Sequence, residues 1–120
     1  MRKKILVVDD ECFMREALVK VLSLDDYNIL MAENGFKAIE ILRKDDVSLV
    51  VTDILMPDCD GFSLCNWIRE WKPEVKVIFI TAYVGENFNA KIESLKPDGY
   101  IYKPFTIDRF LTICKNSLNS

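Results

Sequence analysis

Histidine is missing altogether from the 120 residues, and the four cysteines, Cys12, Cys59, Cys65 and Cys114, form no CxxC pair. Together these absences remove the common zinc patterns. The thiols then read as reduced, mostly buried or half-buried side chains of a cytosolic protein. Long apolar runs are missing too. Met-Arg-Lys-Lys is followed by only four apolar residues, Ile5 to Val8, before Asp9 and Asp10. That is too short for a signal-peptide core or a membrane span. Nor is positive charge in excess: the net charge is −3 and the Lys and Arg residues are scattered, which leaves no broad basic face for DNA or RNA. No linker, repeat or low-complexity segment interrupts the chain. What remains reads as one domain over residues 1–120, half of it apolar. A domain of this length buries roughly two-thirds of the surface its unfolded chain exposes.

Strand and helix patterns alternate from end to end. Lys4 to Asp9 is a β-branched apolar run, as expected for a strand covered on both faces. Residues 11 to 23 carry Phe13, Met14, Ala17, Leu18, Val21 and Leu22 at helical spacing. Asn28 to Ala32 reads as a second strand. Asn34-Gly35 turns into a helix with Ala38, Ile39 and Leu42 on one face. Ser48 to Asp53 is a third strand. The loop Met56 to Gly61 precedes a helix from about Phe62 to Trp71, closed by Pro73. Val75 to Thr81 is the fourth strand and Glu86 to Leu95 a weaker helix. Lys96-Pro97-Asp98-Gly99 turns into a fifth strand, Tyr100 to Lys103, and a last helix spans Ile107 to Leu118. This alternation predicts an α/β domain, a doubly wound parallel sheet with helices on both sides.

In such sheets ligands bind beyond the carboxyl ends of the strands, where strand order reverses. The strand ends here carry Asp9-Asp10-Glu11, Asp53, Thr81-Ala82 and Lys103-Pro104. Two carboxylates about 4 Å apart repel by roughly 4 kcal/mol at an effective dielectric near 20, so three in one crevice need a cation. The single ammonium of Lys103 does not balance them. Mg²⁺, a hard ion held by a couple of carboxylates and several waters, is the natural partner; the twelve-residue loop of an EF-hand calcium site is absent. Taken singly, Asp10 or Glu11 could instead cap the helix that follows.

Val7-Val8-Asp9-Asp10-Glu11, Val51 to Pro57, Asp60-Gly61, Thr81-Ala82 and Lys103-Pro104-Phe105 occur in this order over nearly the whole chain. In that pattern the chain resembles the receiver domain of bacterial two-component response regulators, of the chemotaxis-regulator type. The resemblance implies a flavodoxin-like sheet of order 2-1-3-4-5. It implies a phosphoryl group accepted on Asp53; Asp58 and Asp60 are rival acceptors, but they sit in the following loop, further from the sheet end, and are expected to shape a turn with Gly61. Mg²⁺, or Mn²⁺ in its place, would be bound directly by Asp10 and Asp53, by Asp9 through a water, and by the main-chain carbonyl of Leu55. Lys103, before a cis Lys103–Pro104 bond, would contact Asp53 at rest and the phosphoryl group afterwards. Thr81 would move toward that group, and the ring of Tyr100, or less readily Tyr102, would rotate inward.

Because the chain has no histidine, any phosphohistidine must sit on another protein, a histidine kinase or phosphotransfer protein. The implied output surface is residues 86 to 116, facing a downstream protein or an output domain, with homodimerisation on phosphorylation. Direct nucleic-acid and membrane partners are not implied. Enzymatic activity would be limited to self-phosphorylation from a phosphodonor and self-dephosphorylation. Leu55 and Tyr83 depart toward apolar or bulky groups that orient no water, which predicts a long-lived phosphorylated state. Gly85 and Asn87 weaken the start of the fourth helix, and Phe88 falls at either an exposed contact or a core position. A haloacid dehalogenase-type phosphatase would want an Asp where Leu55 stands, and a flavin module would want hydroxyls where Asp9-Asp10-Glu11 stands. The remaining alternative is a receiver-like interaction module that no longer needs phosphorylation.

Overall fold

The computed structural model describes residues 2–82 and 85–119. Its elements run β1 (Lys3–Val8), α1 (Cys12–Leu22), β2 (Tyr27–Ala32), α2 (Gly35–Lys44), β3 (Leu49–Asp53), α3 (Gly61–Trp71), β4 (Lys76–Thr81), α4 (Glu86–Leu95), β5 (Gly99–Tyr102) and α5 (Ile107–Leu118). The strands form a five-stranded sheet of order β2-β1-β3-β4-β5, parallel throughout. The expected architecture and strand order are both present. Ends shift by a residue or two: Asp9 and Lys103 lie just past β1 and β5, and β2 opens at Tyr27.

Side chains of a strand alternate between the two faces of its sheet, and here each face has its own core. Leu6, Val8, Val50, Val77 and Phe79 pack under Ala38 and Leu42 of α2, Leu64 and Ile68 of α3, and Ile92 of α4. Ile5, Val7, Leu49, Val51, Ile78 and Ile80 pack on the opposite face under Leu18 and Leu22 of α1 and Phe110 and Cys114 of α5. Burial on both faces is why β1, β3 and β4 read as continuous apolar runs. Phe88 is half-buried, packed on the first core with its ring 5.1 Å from that of Phe62.

Two residues of the α1 pattern, Phe13 and Ala17, are exposed. Phe13 is 89% exposed, although it shares the helical apolar spacing. At about 100° per residue it lies nearly opposite Leu22, outside the stripe that Leu18 and Leu22 bury. Three of the cysteines are buried and Cys12 is exposed, all with free thiols. The Lys96–Gly99 turn is firmly built: Asp98 Oδ2 accepts from Val77 N at 2.7 Å and from Arg69 at 3.3 Å. Lys96 closes α4 in the left-handed conformation, at φ 49°. Among the described residues no helix is long and apolar enough to cross a membrane.

Candidate functional site: an acidic crevice at the sheet edge

Strand order reverses between β1 and β3, because β1 lies between β2 and β3 while β4 and β5 follow on the far side. Asp9 and Asp10 leave β1 at that point, and Asp53 ends β3. One carboxylate oxygen from each of the three lies within 4.8 Å of the others.

Asp9 is 1% exposed. Its N–H still donates to Ala32 O, at 3.2 Å, and its Oδ1 accepts from Glu11 N at 2.9 Å. Its Oδ2 is buried without a hydrogen-bond partner. Burial is the largest influence on this carboxyl and pushes its pKa from 3.8 up to about 6; the Glu11 N–H opposes the rise, Asp53 and Asp10 add to it, and Lys103 reduces it. A buried carboxylate oxygen with no donor is costly unless something cationic takes its lone pairs. Helix α1 makes no use of these acids: Glu11 is its N-cap residue and gives no side-chain hydrogen bond. The capping alternative for Asp10 and Glu11 therefore falls away.

Asp53 is half-buried. Its Oδ1 accepts from Leu55 N at 3.3 Å, and its Oδ2 accepts from Lys103 Nζ at 3.1 Å. Lys103 precedes a cis peptide bond to Pro104, as expected, and its N–H donates to Thr81 O at 2.8 Å. Thr81 is 1% exposed at the end of β4, one residue beyond Ile80, which lies opposite Asp53 in the ladder. The Leu55 side chain is 46% exposed; Tyr83 lies outside the described residues.

The loop after β3 shows why two further acids stand apart. Asp58 takes the left-handed turn at φ 68°, and Asp60 Oδ1 caps α3 by accepting from Ser63 N at 2.8 Å. Both are turn formers, as expected. Gly61 opens α3 hard against β3: a Cβ there would lie 2.5 Å from Asp53 O.

Tyr100 is 47% exposed, its ring 5.7 Å from that of Tyr102. The Tyr102 hydroxyl donates to Asn89 Oδ1 at 3.0 Å and so ties β5 to α4. That tie gave no signal in the sequence. Neither did Arg15, whose guanidinium donates to Asp9 O at 2.7 Å. Every residue carries a carbonyl, so a side chain that binds one has no complementary residue type to reveal it.

The donor set suits a hard divalent ion. It is all oxygen, it gathers three carboxylates against the Lys103 ammonium, and it includes an orphaned buried oxygen on Asp9.

Comparisons with known proteins agree with this geometry. The chain is 40% identical over 107 residues to the "Probable transcriptional regulator ycf27" of Porphyra purpurea, covering 88% of this chain and 43% of that protein. It thus spans less than half the length of that relative. It is 35% identical over 103 residues to the response regulator receiver protein CpdR of Brucella abortus, covering 86% of each. The signal receiver domain of an HD domain-containing protein from Pseudomonas fluorescens superposes with a TM-score of 0.93 at 26% identity, over 99% of this chain and 96% of that one. The family model for the response regulator receiver domain matches residues 5–115. With that match spanning both cores and every strand end of the crevice, the chain belongs to the receiver domain family of two-component response regulators.

Proposed function

We propose that Asp53 accepts a phosphoryl group from a phosphohistidine on a partner histidine kinase or phosphotransfer protein. Residues 1–120 act as one receiver unit, and its modified form signals to a downstream protein or an output domain through residues 86 to 116. The observation that carries this reading is the pairing of Asp53 Oδ2 with Lys103 Nζ at 3.1 Å, beside two further carboxylates and an orphaned oxygen. An interaction module with no phosphorylation chemistry would have no use for such a costly cluster.

In the transfer a carboxylate oxygen of Asp53 forms a bond to phosphorus. The bond from phosphorus to the donor's imidazole nitrogen breaks, and its electron pair stays on that nitrogen. Asp10, Asp53 and the carbonyl of Leu55 would hold Mg²⁺ directly, and Asp9 through a water. When bound, the ion offsets negative charge on the phosphoryl oxygens. Lys103, already at Asp53, passes its contact to a phosphoryl oxygen, and the hydroxyl of Thr81 donates to another. The added group brings nearly two negative charges and three strong acceptors. Contacts that differ between the two states are what shifts the conformational balance, with the ring of Tyr100 moving inward as β4 adjusts.

Incubation with acetyl phosphate and Mg²⁺ tests this. The intact protein gains the mass of one phosphoryl group, and Asp53→Asn gains none. Wild-type protein that stays unmodified, or Asp53→Asn modified at the wild-type rate, overturns the proposal.

A further inference from the structure

Arg15 closes the first turn of α1, close to an acidic crevice, yet among the described residues it pairs with no carboxylate. Among the described residues no acidic oxygen lies within ion-pair distance of it. Its guanidinium donates instead to the main-chain carbonyl of Asp9 at 2.7 Å. No other donor to that carbonyl is present among the described residues.

This choice of partner has mechanical consequences. The connection between β1 and α1 is only Asp9-Asp10-Glu11, and it carries two of the three clustered carboxylates. Asp9 is held at its N–H by Ala32 O and at its carboxylate by Glu11 N. Arg15 supplies the third hold, on the carbonyl that begins the Asp9–Asp10 peptide. The orientation of that peptide decides where the Asp10 side chain points. Asp10 is exposed and, among the described residues, has no hydrogen bond of its own to fix it. An arginine serving as counter-ion would have taken a carboxylate, and so would compete with a divalent ion. Bound to the backbone, Arg15 leaves all three carboxylates available.

We propose that Arg15 is a positioning residue for the carboxylate cluster: through the Asp9 carbonyl it holds Asp9 and Asp10 in the arrangement that binds a divalent cation. The inference rests on the function proposed above and deepens it, since it names a residue that sets the affinity of the same site. Partners of this kind, one step removed from the ligands, typically change metal affinity by 10- to 100-fold.

The sign of the effect separates positioning from charge. Removing a positive charge near the site strengthens Mg²⁺ binding if charge is all that Arg15 contributes. Losing the hold on the backbone weakens it. Titration of the whole chain with Mg²⁺ alone, by calorimetry, reads this directly in wild type, Arg15→Met and Arg15→Lys. The expected result is a Kd about tenfold weaker for Arg15→Met and an intermediate value for Arg15→Lys, which keeps the charge but not the planar fork. At saturating Mg²⁺ the rate of phosphorylation by acetyl phosphate returns toward wild type in both. A general structural role would not produce that separation of affinity from rate. If Arg15→Met does not fold, Arg15→Lys decides alone. Either folded variant binding Mg²⁺ as tightly as wild type, or more tightly, overturns the role. Wild-type protein that ignores Mg²⁺ overturns the proposed function and this role with it.

Discussion

Lys103 and Asp53 lie fifty positions apart in the chain and meet at 3.1 Å between Nζ and Oδ2. Both side chains are largely covered, at 19% and 14% exposure, so the pair is shielded more than a surface ion pair. The contact joins the end of β3 to the connection between β5 and α5.

Replacing Lys103 with Met keeps most of the stem and removes the ammonium. The cluster becomes more negative, so Mg²⁺ binds more tightly, while the growing charge on the phosphoryl oxygens loses a stabilising partner. Phosphorylation by acetyl phosphate slows by about 100-fold, the usual scale for losing one such donor. Calorimetry and initial rates, measured on the same preparation, check the two opposite changes.

Burial of Asp9 makes stability depend on pH and on metal. Its carboxyl titrates near 3.8 in the unfolded chain and about 6 in the folded one. Between those values the folded state holds more protons, so this group's contribution is most favourable below 3.8 and is lost as pH rises through about 6. The loss at neutral pH is on the order of 3 kcal/mol in the absence of metal. Asp9→Asn keeps an acceptor for Glu11 N and removes the charge. In EDTA it is more stable than wild type at pH 7, and the gap closes toward pH 4. Urea unfolding across that range measures it, and added Mg²⁺ stabilises wild type more than the variant.

Gly61 sets how closely α3 approaches β3. With Asp53 O at 2.5 Å from the position of an added Cβ and Ile54 Cα at 2.8 Å, the obstacle is backbone and does not rotate away. Gly61→Ala lowers stability by about 2 kcal/mol, the cost typical of overpacking, and slows phosphorylation because Asp53 shifts. Thermal unfolding and the acetyl phosphate assay report both effects.

Leu55 bears on the lifetime of the phosphorylated state. Its half-exposed side chain lies two residues past Asp53 and has no polar group to orient a water toward an acyl phosphate. Leu55→Asn introduces such a group, and the expected outcome is faster loss of phosphate after removal of the donor. Intact-mass time courses follow it; equal lifetimes in the two proteins would contradict the assignment.

The strands were legible in the sequence because both faces of β1, β3 and β4 are buried, which demands unbroken runs such as Ile5–Val8 and Val77–Ile80. The site was legible for a related reason: a carboxylate directly after such a run has to emerge at the sheet edge. The exposure of Phe13 is not legible, because helical spacing says that a face exists without saying which residues at its margin are covered. Arg15, and the bond from Tyr102 to Asn89, were not legible at all. Each depends on the distance between elements and, for Arg15, on a partner that every residue possesses. Gly35 signals a turn in the sequence, whereas in the structure it opens α2 with its N–H 3.2 Å from Cys59 O and admits the loop that follows β3, where a Cβ would lie 2.7 Å from Cys59 O.

Chemical trapping of the phosphorylated aspartate is the most direct test of the central claim. Protein treated with acetyl phosphate and Mg²⁺, reduced with borohydride and digested, should carry the reduced residue at position 53 alone, with none formed in EDTA. Labelling at Asp58 or Asp60 instead, or equal labelling without the metal, would contradict it.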